Sequence, residues 1–151
     1  MRLITVYKRL FKRYGAQRWW PADSPFEVMV GAILTQNTAW PNVEKAIDNL
    51  KRSKMLTPEV VVKGDISRLA EAIRPSGYFN IKAKRLRNYC CWYLAQGGLE
   101  KLCQLDTVTL RKELLSVNGV GPETADDILL YAFERPVFVI DAYTRRIFSR
   151  L

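Results

Sequence analysis

A chain of 151 residues with 48% hydrophobic and 11% aromatic side chains can bury one real core and is not a disordered tail. Its 24 Lys and Arg against 15 Asp and Glu give a net charge of +9, which favours a polyanionic partner, nucleic acid or an anionic membrane surface, over a charge serving solubility alone. There is no histidine, and the three cysteines (Cys90, Cys91, Cys103) form no Cys-x-x-Cys pair, which argues against structural zinc, a cysteine-held iron–sulfur cluster and histidine-based catalysis.

No apolar run approaches membrane-spanning length. The opening "MRLITVYKRLFKRYG" lacks a continuous apolar stretch and a small-residue cleavage site, so a cytoplasmic location is expected. Leu3, Tyr7, Leu10, Phe11 and Tyr14 recur at three- and four-residue steps. They predict a first helix that buries an apolar stripe, exposes its basic residues and ends near Gly15. In "DSPFEVMVGAIL", Ser24 is the expected N-cap, Pro25 the first helical residue and Glu27 the capping-box partner. That helix is apolar almost all round, so it is central.

A third helix is expected from Pro41 to Arg52. Thr57 starts a short one at Pro58, and Ser67 to Ile73 makes another before "RPSG" breaks it. Asn80 opens a long helix through "IKAKRLRNYCCWYLAQ", which stops at Gly97–Gly98. Thr107 to Leu115 and Pro122 to Phe133 flank "VNGVG"; "RPVFVI" reads as a short extended run, and Asp141 as the N-cap of a last helix. No repeat or low-complexity segment appears, and the predicted class is all-α.

The hairpin "VNGVGPETADDIL" carries chemistry as well as shape. Gly119 and Gly121 permit positive φ and close approach of a ligand to the backbone. Pro122 opens a helix whose exposed N–H groups and positive dipole end favour a phosphate. Helical hairpins also use glycine for turning alone, but with +9 behind it the phosphate reading is the stronger.

The run "LSVNGVGPETADDILLYAFERPVFVIDAYTRRI" resembles the helix-hairpin-helix, glycine/proline loop and aspartate signature of the endonuclease III superfamily of DNA glycosylases. Gly119, Val120, Gly121, Thr124 and Ala125 match the hairpin, Pro136 the loop, and Asp141 the catalytic aspartate. Upstream, "SPFEVMVGAILTQNT" resembles the opening of the six-helix barrel domain, and "RPSGYFNIKAKRL" the stretch after its middle helices. Within the superfamily, "WWP" at Trp19 to Pro21, "GAILTQNT" followed by Trp40, and "GVGPETADDIL" resemble the 3-methyladenine glycosylases of the endonuclease III type. Those enzymes lack the iron–sulfur cluster. Bifunctional members place a Schiff-base lysine two residues after the second hairpin glycine. Here Glu123 stands there and no lysine follows Lys112, so the resemblance implies a monofunctional enzyme without lyase activity.

What the resemblance implies can be weighed against simpler readings. A methylated purine is cationic and leaves readily, so the enzyme needs an aromatic pocket and a carboxylate beside the sugar. Trp19 and Trp40 are the expected stacking pair, with Trp20 a further pocket residue, though tryptophans also serve as core. Asp141 is expected to stabilise the oxocarbenium ion and assist water, while also capping a helix. Extrusion of the base needs a wedge, for which Asn37 in "TQNT" and Tyr78 in "SGYFN" are the candidates. Gln36, Lys82, Lys84 and Arg85 join the hairpin residues on the expected DNA face; a solvated helix face is the plainer reading of the three cations. By the family's pattern, backbone carbonyls of Leu115, Val117 and Val120 hold a monovalent cation, Na+ or K+.

The resemblance divides the chain into an N-terminal helix and connector at 1–23, the barrel at 24–135 with its helix-hairpin-helix at 107–133, and the catalytic loop at 136–151. The chain ends ten residues after Asp141, where the family continues through further helices that pack on the N-terminal helix, so a fragment or a short gene is expected. The expected partner is duplex DNA with damaged bases, bound by a monomer and not by a membrane protein. The alternatives are a non-catalytic DNA-binding fragment and a glycosylase for oxidised or deaminated bases.

Overall fold

The computed structural model describes residues 2–151, and every regular element among them is helical. In chain order these are α1 (Leu3–Tyr14), α2 (Pro25–Leu34), α3 (Trp40–Arg52), α4 (Pro58–Lys63), α5 (Ile66–Ala72) and a 3₁₀ turn (Arg74–Ser76). Then come α6 (Phe79–Ala95), α7 (Gly98–Leu102), α8 (Thr107–Leu115), α9 (Pro122–Asp127) running on as a π turn (Ile128–Ala132), and α10 (Ala142–Phe148). The all-α expectation holds. Among the described residues no helix is long and apolar enough to cross a membrane.

The architecture is built around α2. Residues 27–34 are all buried, and the helix packs on α3, α6, α9 and the π turn, while α4 and α5 cover α6. Its start is pinned as the sequence predicts: the Glu27 N–H donates to Ser24 Oγ at 3.2 Å. The Glu27 carboxylate turns back one residue further than a capping box requires and accepts the Asp23 N–H at 3.1 Å. Lys51 of α3 then bridges Glu27 at 2.9 Å and Asp23 at 2.7 Å, fastening the two helices at one end.

At its other end α2 faces the usual problem of unsatisfied carbonyls. Lys82 of α6 solves it, donating from Nζ to the Leu34 carbonyl at 2.7 Å and to the Ser76 carbonyl at 2.6 Å. Only 1% of Lys82 is exposed, so its expected place on the DNA face is corrected: it is an internal strut. Burial, with the Arg85 charge nearby, lowers its pKa to about 8. The two carbonyls favour the protonated form and give the buried charge partners.

Several sequence expectations are corrected by packing. The amphipathic stripe of α1 is present, but no residue of α1 is buried; Leu3, Ile4, Tyr7, Leu10, Phe11 and Tyr14 all face outward. An apolar stripe specifies a face and says nothing of whether a partner covers it. The exposed apolar groups Phe138, Ile140, Ile147 and Phe148 of the C-terminal segment are in the same situation. Asp65, not Ser67, lies at the start of α5 and caps it by accepting the Ser67 N–H at 2.8 Å. The Gly97–Gly98 pair, both at positive φ, turns the chain directly into α7, a helix too short to show a period. The expected extended run near Val137 forms no strand.

Replacing Lys82 by Met is expected to leave two buried carbonyls without donors and to cost about 3 kcal/mol of stability. The exposed Lys84→Met variant is expected to lie within about 0.5 kcal/mol of the parent. Urea unfolding midpoints compare the two.

Candidate functional site

The loop between α8 and α9 is a tight hairpin in which the Val120 N–H donates to the Val117 carbonyl at 3.0 Å. Its two glycines do different work. Gly119 sits at φ +98°, and a Cβ there would lie 2.3 Å from Cγ of Arg85, so both backbone and packing require glycine. Gly121 has an extended backbone with φ −93°, and a Cβ there would meet nothing within 4 Å. The space in front of Gly121 is therefore open for a ligand to approach the first turn of α9.

Gln36, just beyond α2, locks this loop in place. Its Nε2 donates to the Gly119 carbonyl and to Thr124 Oγ1, each at 2.9 Å, while its Oε1 accepts from an Arg85 guanidinium N–H. Thr124 is only 5% exposed. Gln36, Thr124 and Arg85, expected on the DNA face, thus turn polar atoms inward to shape the hairpin, and the Val120 side chain is buried too. Lys84 is exposed, as expected. A cavity of about 640 Å³ opens beside the hairpin, lined by Asn37, Arg85, Gly121, Asp127 and Tyr143 among others. Of the carbonyls named for a monovalent cation, that of Val117 retains one lone pair beyond its bond to Val120, and carbonyl oxygens are donors suited to Na+ or K+.

Asn37 and Tyr78, far apart in sequence, line one small cavity of about 230 Å³. Both are exposed and both hold positive φ, 52° and 46°, a conformation that non-glycine residues rarely adopt. Such strain persists only where the surroundings impose it, and here it projects two side chains from neighbouring loops on one face.

A second cleft, of about 560 Å³, is lined by aromatic residues, Tyr143 among them, and by carboxylates. Trp19, Trp20, Trp40 and Tyr131 form one cluster. Trp20 is in contact with the other three, its ring centroid 5.7 Å from that of Trp19, 5.2 Å from Trp40 and 4.9 Å from Tyr131. The Trp19 indole N–H donates to the Tyr131 hydroxyl at 3.2 Å, and that of Trp40 to Glu44 at 3.0 Å. The expected Trp19–Trp40 sandwich is closed in this structure: the rings meet edge to face at 5.3 Å and 61°. A planar base between them needs roughly 7 Å, twice an optimal carbon–carbon separation, so one ring must swing. Trp19 is the exposed member of the pair.

The cleft also carries the carboxylates Glu123, Asp127 and Asp141. Asp141 caps α10, accepting the Thr144 N–H at 2.6 Å and its hydroxyl at 2.7 Å. Burial favours its neutral form, but the Thr144 donors and the N–H groups of Asp141 and Tyr143 outweigh it, so the pKa lies below the ordinary value. Burial and the Asp141 charge raise the Glu123 pKa, with Arg145 opposing. Asp127 is pushed up to about 7 by burial, then by Glu123, Asp141 and Asp126. Tyr131 and Asp127 escaped the sequence reading, although Glu123, Asp127 and Tyr131 recur every four residues and so share one face of a helix. Cys90 is buried, its thiol raised to about 12 by that burial, and takes no part in the cleft.

A glycine hairpin, an aromatic cleft and a capped aspartate thus lie together, their cavities sharing Glu123 and Asp127, and residues 30–151 match the family described as the HhH-GPD superfamily base excision DNA repair protein. The chain belongs to that superfamily. A protein of Methanocaldococcus jannaschii named as a DNA repair glycosylase is 54% identical over 152 residues, covering 99% of this chain and 69% of that protein. An endonuclease III of Sulfolobus acidocaldarius is 32% identical over 127 residues, covering 83% of this chain and 56% of that one. Among solved structures, an H. pylori 3-methyladenine DNA glycosylase bound to 1,N6-ethenoadenine superposes with a TM-score of 0.85 at 34% identity, covering 98% of this chain and 71% of that one. By this membership the HhH-GPD chain is a base excision DNA repair glycosylase.

Gly119→Ala is expected to cost about 1–3 kcal/mol, because it forces a strained φ and displaces Arg85. Gly121→Ala is expected to unfold within about 0.5 kcal/mol of the parent. Thermal and urea unfolding of the two single variants distinguishes a glycine needed for shape from one needed for access.

Proposed function

We propose that this chain is the catalytic part of a monofunctional glycosylase that hydrolyses the N-glycosidic bond of alkylated purines such as 3-methyladenine, acting as a monomer on duplex DNA. The observation that carries this reading is the convergence on one cleft of five aromatic residues and three carboxylates with no lysine among the lining residues. Aromatic faces attract a cation by about 0.5–2 kcal/mol, and the carboxylates add a field of the same preference. A neutral base gains neither.

The division of labour follows from the residues. The open backbone at Gly121 and the N–H groups at the start of α9 take a DNA phosphate. A monovalent cation on the carbonyls of Leu115, Val117 and Val120 would add positive charge beside it. Exposed Lys84 adds further charge, and Asn37 and Tyr78 fill the space left by the extruded nucleotide. Trp19 and Trp40 stack on the base, against the support of Trp20. Asp141, held ionised by its capping bonds, faces the sugar, stabilises the developing oxocarbenium ion and orients water toward it. With Glu123 where bifunctional relatives carry lysine, the chain has no amine there to form a Schiff base. On this reading 24–135 forms the barrel with its clamp at 107–133, 136–151 the catalytic loop, and 1–23 part of a second unit.

Asp141→Asn is expected to lower 3-methyladenine release at least 100-fold while preserving duplex affinity, since asparagine caps helices about as well as aspartate. Release is measured from alkylated DNA with mass spectrometry of the freed base; release at the parental rate refutes the assignment. Borohydride is expected to trap no covalent enzyme–DNA adduct. Gly121→Val is expected to weaken duplex binding about tenfold and to flatten its salt dependence, measured by fluorescence anisotropy between 50 mM and 200 mM salt.

A further inference from the structure

Asp127 is the least exposed carboxylate of the cleft, and the proposed mechanism gives it no task beyond its share of the cleft's negative field. It lies at the end of α9, 8% exposed, and lines both the hairpin cavity and the aromatic cleft. No hydrogen bond or ion pair reaches its carboxylate among the described residues; its neighbour Asp126, by contrast, is held by Arg111 at 2.7 Å. Asp127 is thus more than nine-tenths buried as a residue, and its unpaired oxygens are reached from the cavities it lines, where a ligand that supplies donors would relieve the cost of its burial. Glu123 is exposed, and Asp141 is half-buried, taking both Thr144 donors on Oδ1 alone. Of the three, only Asp127 combines burial with a carboxylate that no protein donor reaches.

We infer that Asp127 determines base specificity: on entry of the flipped base its carboxylate accepts a hydrogen bond from a ring or exocyclic N–H of a positively charged purine, and selects it over neutral bases. The inference rests on the alkylpurine reading above and names the residue that enforces it. The groups around Asp127 support this. Glu123 and Asp126 on its own helix and Asp141 at α10 all disfavour its ionisation. Arg85 of α6, Tyr143 of α10 and Tyr131 of the π turn also line its cavities, and Arg145 acts on Glu123. In the free protein Asp127 therefore exchanges its proton near pH 7, and a cation arriving beside it expels that proton. A neutral base offers no such compensation. Discrimination is then expected to strengthen as pH rises through 7.

The test uses the binding-competent Asp141→Asn variant with three duplexes: one containing 1-methyladenine, which stays cationic from pH 6 to pH 8, one containing hypoxanthine, and one undamaged. The cationic lesion is expected to be preferred over hypoxanthine, with the preference growing about tenfold between pH 6 and pH 8. Adding Asp127→Asn is expected to remove both the preference and its pH dependence, while binding to the undamaged duplex stays within twofold. No preference in the Asp141→Asn protein, or a preference that survives Asp127→Asn, overturns the inference. The same substitutions keep the two claims apart: absence of base release by the parent chain refutes the glycosylase reading, whereas the binding preference refutes or supports the role of Asp127. Misfolding has its own signature. The native state holds a proton on Asp127 that the unfolded chain has lost between about pH 4 and pH 7, so parental stability falls over that window. Asp127→Asn removes this loss, and its unfolding midpoint at pH 8 is expected to equal or exceed that of the parent.

Discussion

The hairpin depends on a single amide. Gln36 uses both N–H groups on the far side of the molecule, one for the Gly119 carbonyl and one for the Thr124 hydroxyl, and takes Arg85 on its oxygen. Because Gln36 lies just beyond α2, the buried core helix is coupled to the hairpin loop. Lys82 performs the complementary task one turn away, closing the carbonyl end of α2. Together these polar contacts convert a rigid apolar helix into a fixed origin for the hairpin, for the Asn37 loop and for the aromatic cleft.

That origin explains why the strained elements can exist. Positive φ at Asn37, Tyr78 and Gly119 is unfavourable locally and is held by the surrounding packing. These three residues line the hairpin cavity or the small cavity beside it. The rigid parts contribute buried surface and satisfied hydrogen bonds, and Asn37 and Tyr78 contribute exposed side chains. The closed Trp19–Trp40 contact fits the same division, since Trp19 belongs to the connector between α1 and α2 and is not constrained by a helix.

The carboxylate cluster is a second consequence of helix geometry. Glu123 and Asp127 stand one turn apart on α9, so like charges are forced together and toward Asp141. The protein tolerates this where it would ordinarily be selected against, and the pKa values separate: Asp141 is pulled down by its capping donors, whereas Glu123 and Asp127 are pushed up. One cleft thereby holds a carboxylate kept charged and another that can change its protonation.

Helix positions, the cap at Ser24, the aspartate cap at α10 and the hairpin glycines were legible in the residue order, because caps, glycine conformations and apolar periods act within a few residues. The family resemblance carried Trp19, Trp40 and Asp141 as candidates for one site, and the fold brings them to one cleft. Burial and pairing were not legible. Lys82 sits in a run of basic residues and reads as a solvated charge, yet distant carbonyls at Leu34 and Ser76 draw it inside. The stripe on α1 reads as buried, yet no described element covers it. Gln36 reads as a DNA-face residue, and packing turns its amide onto Gly119 and Thr124, while Asp127, which the sequence reading passed over, is buried beside the cleft. Local preference decides where an element begins and which face is apolar; which side chain finds a partner 40 or 80 residues away is decided only when tertiary packing excludes water from both.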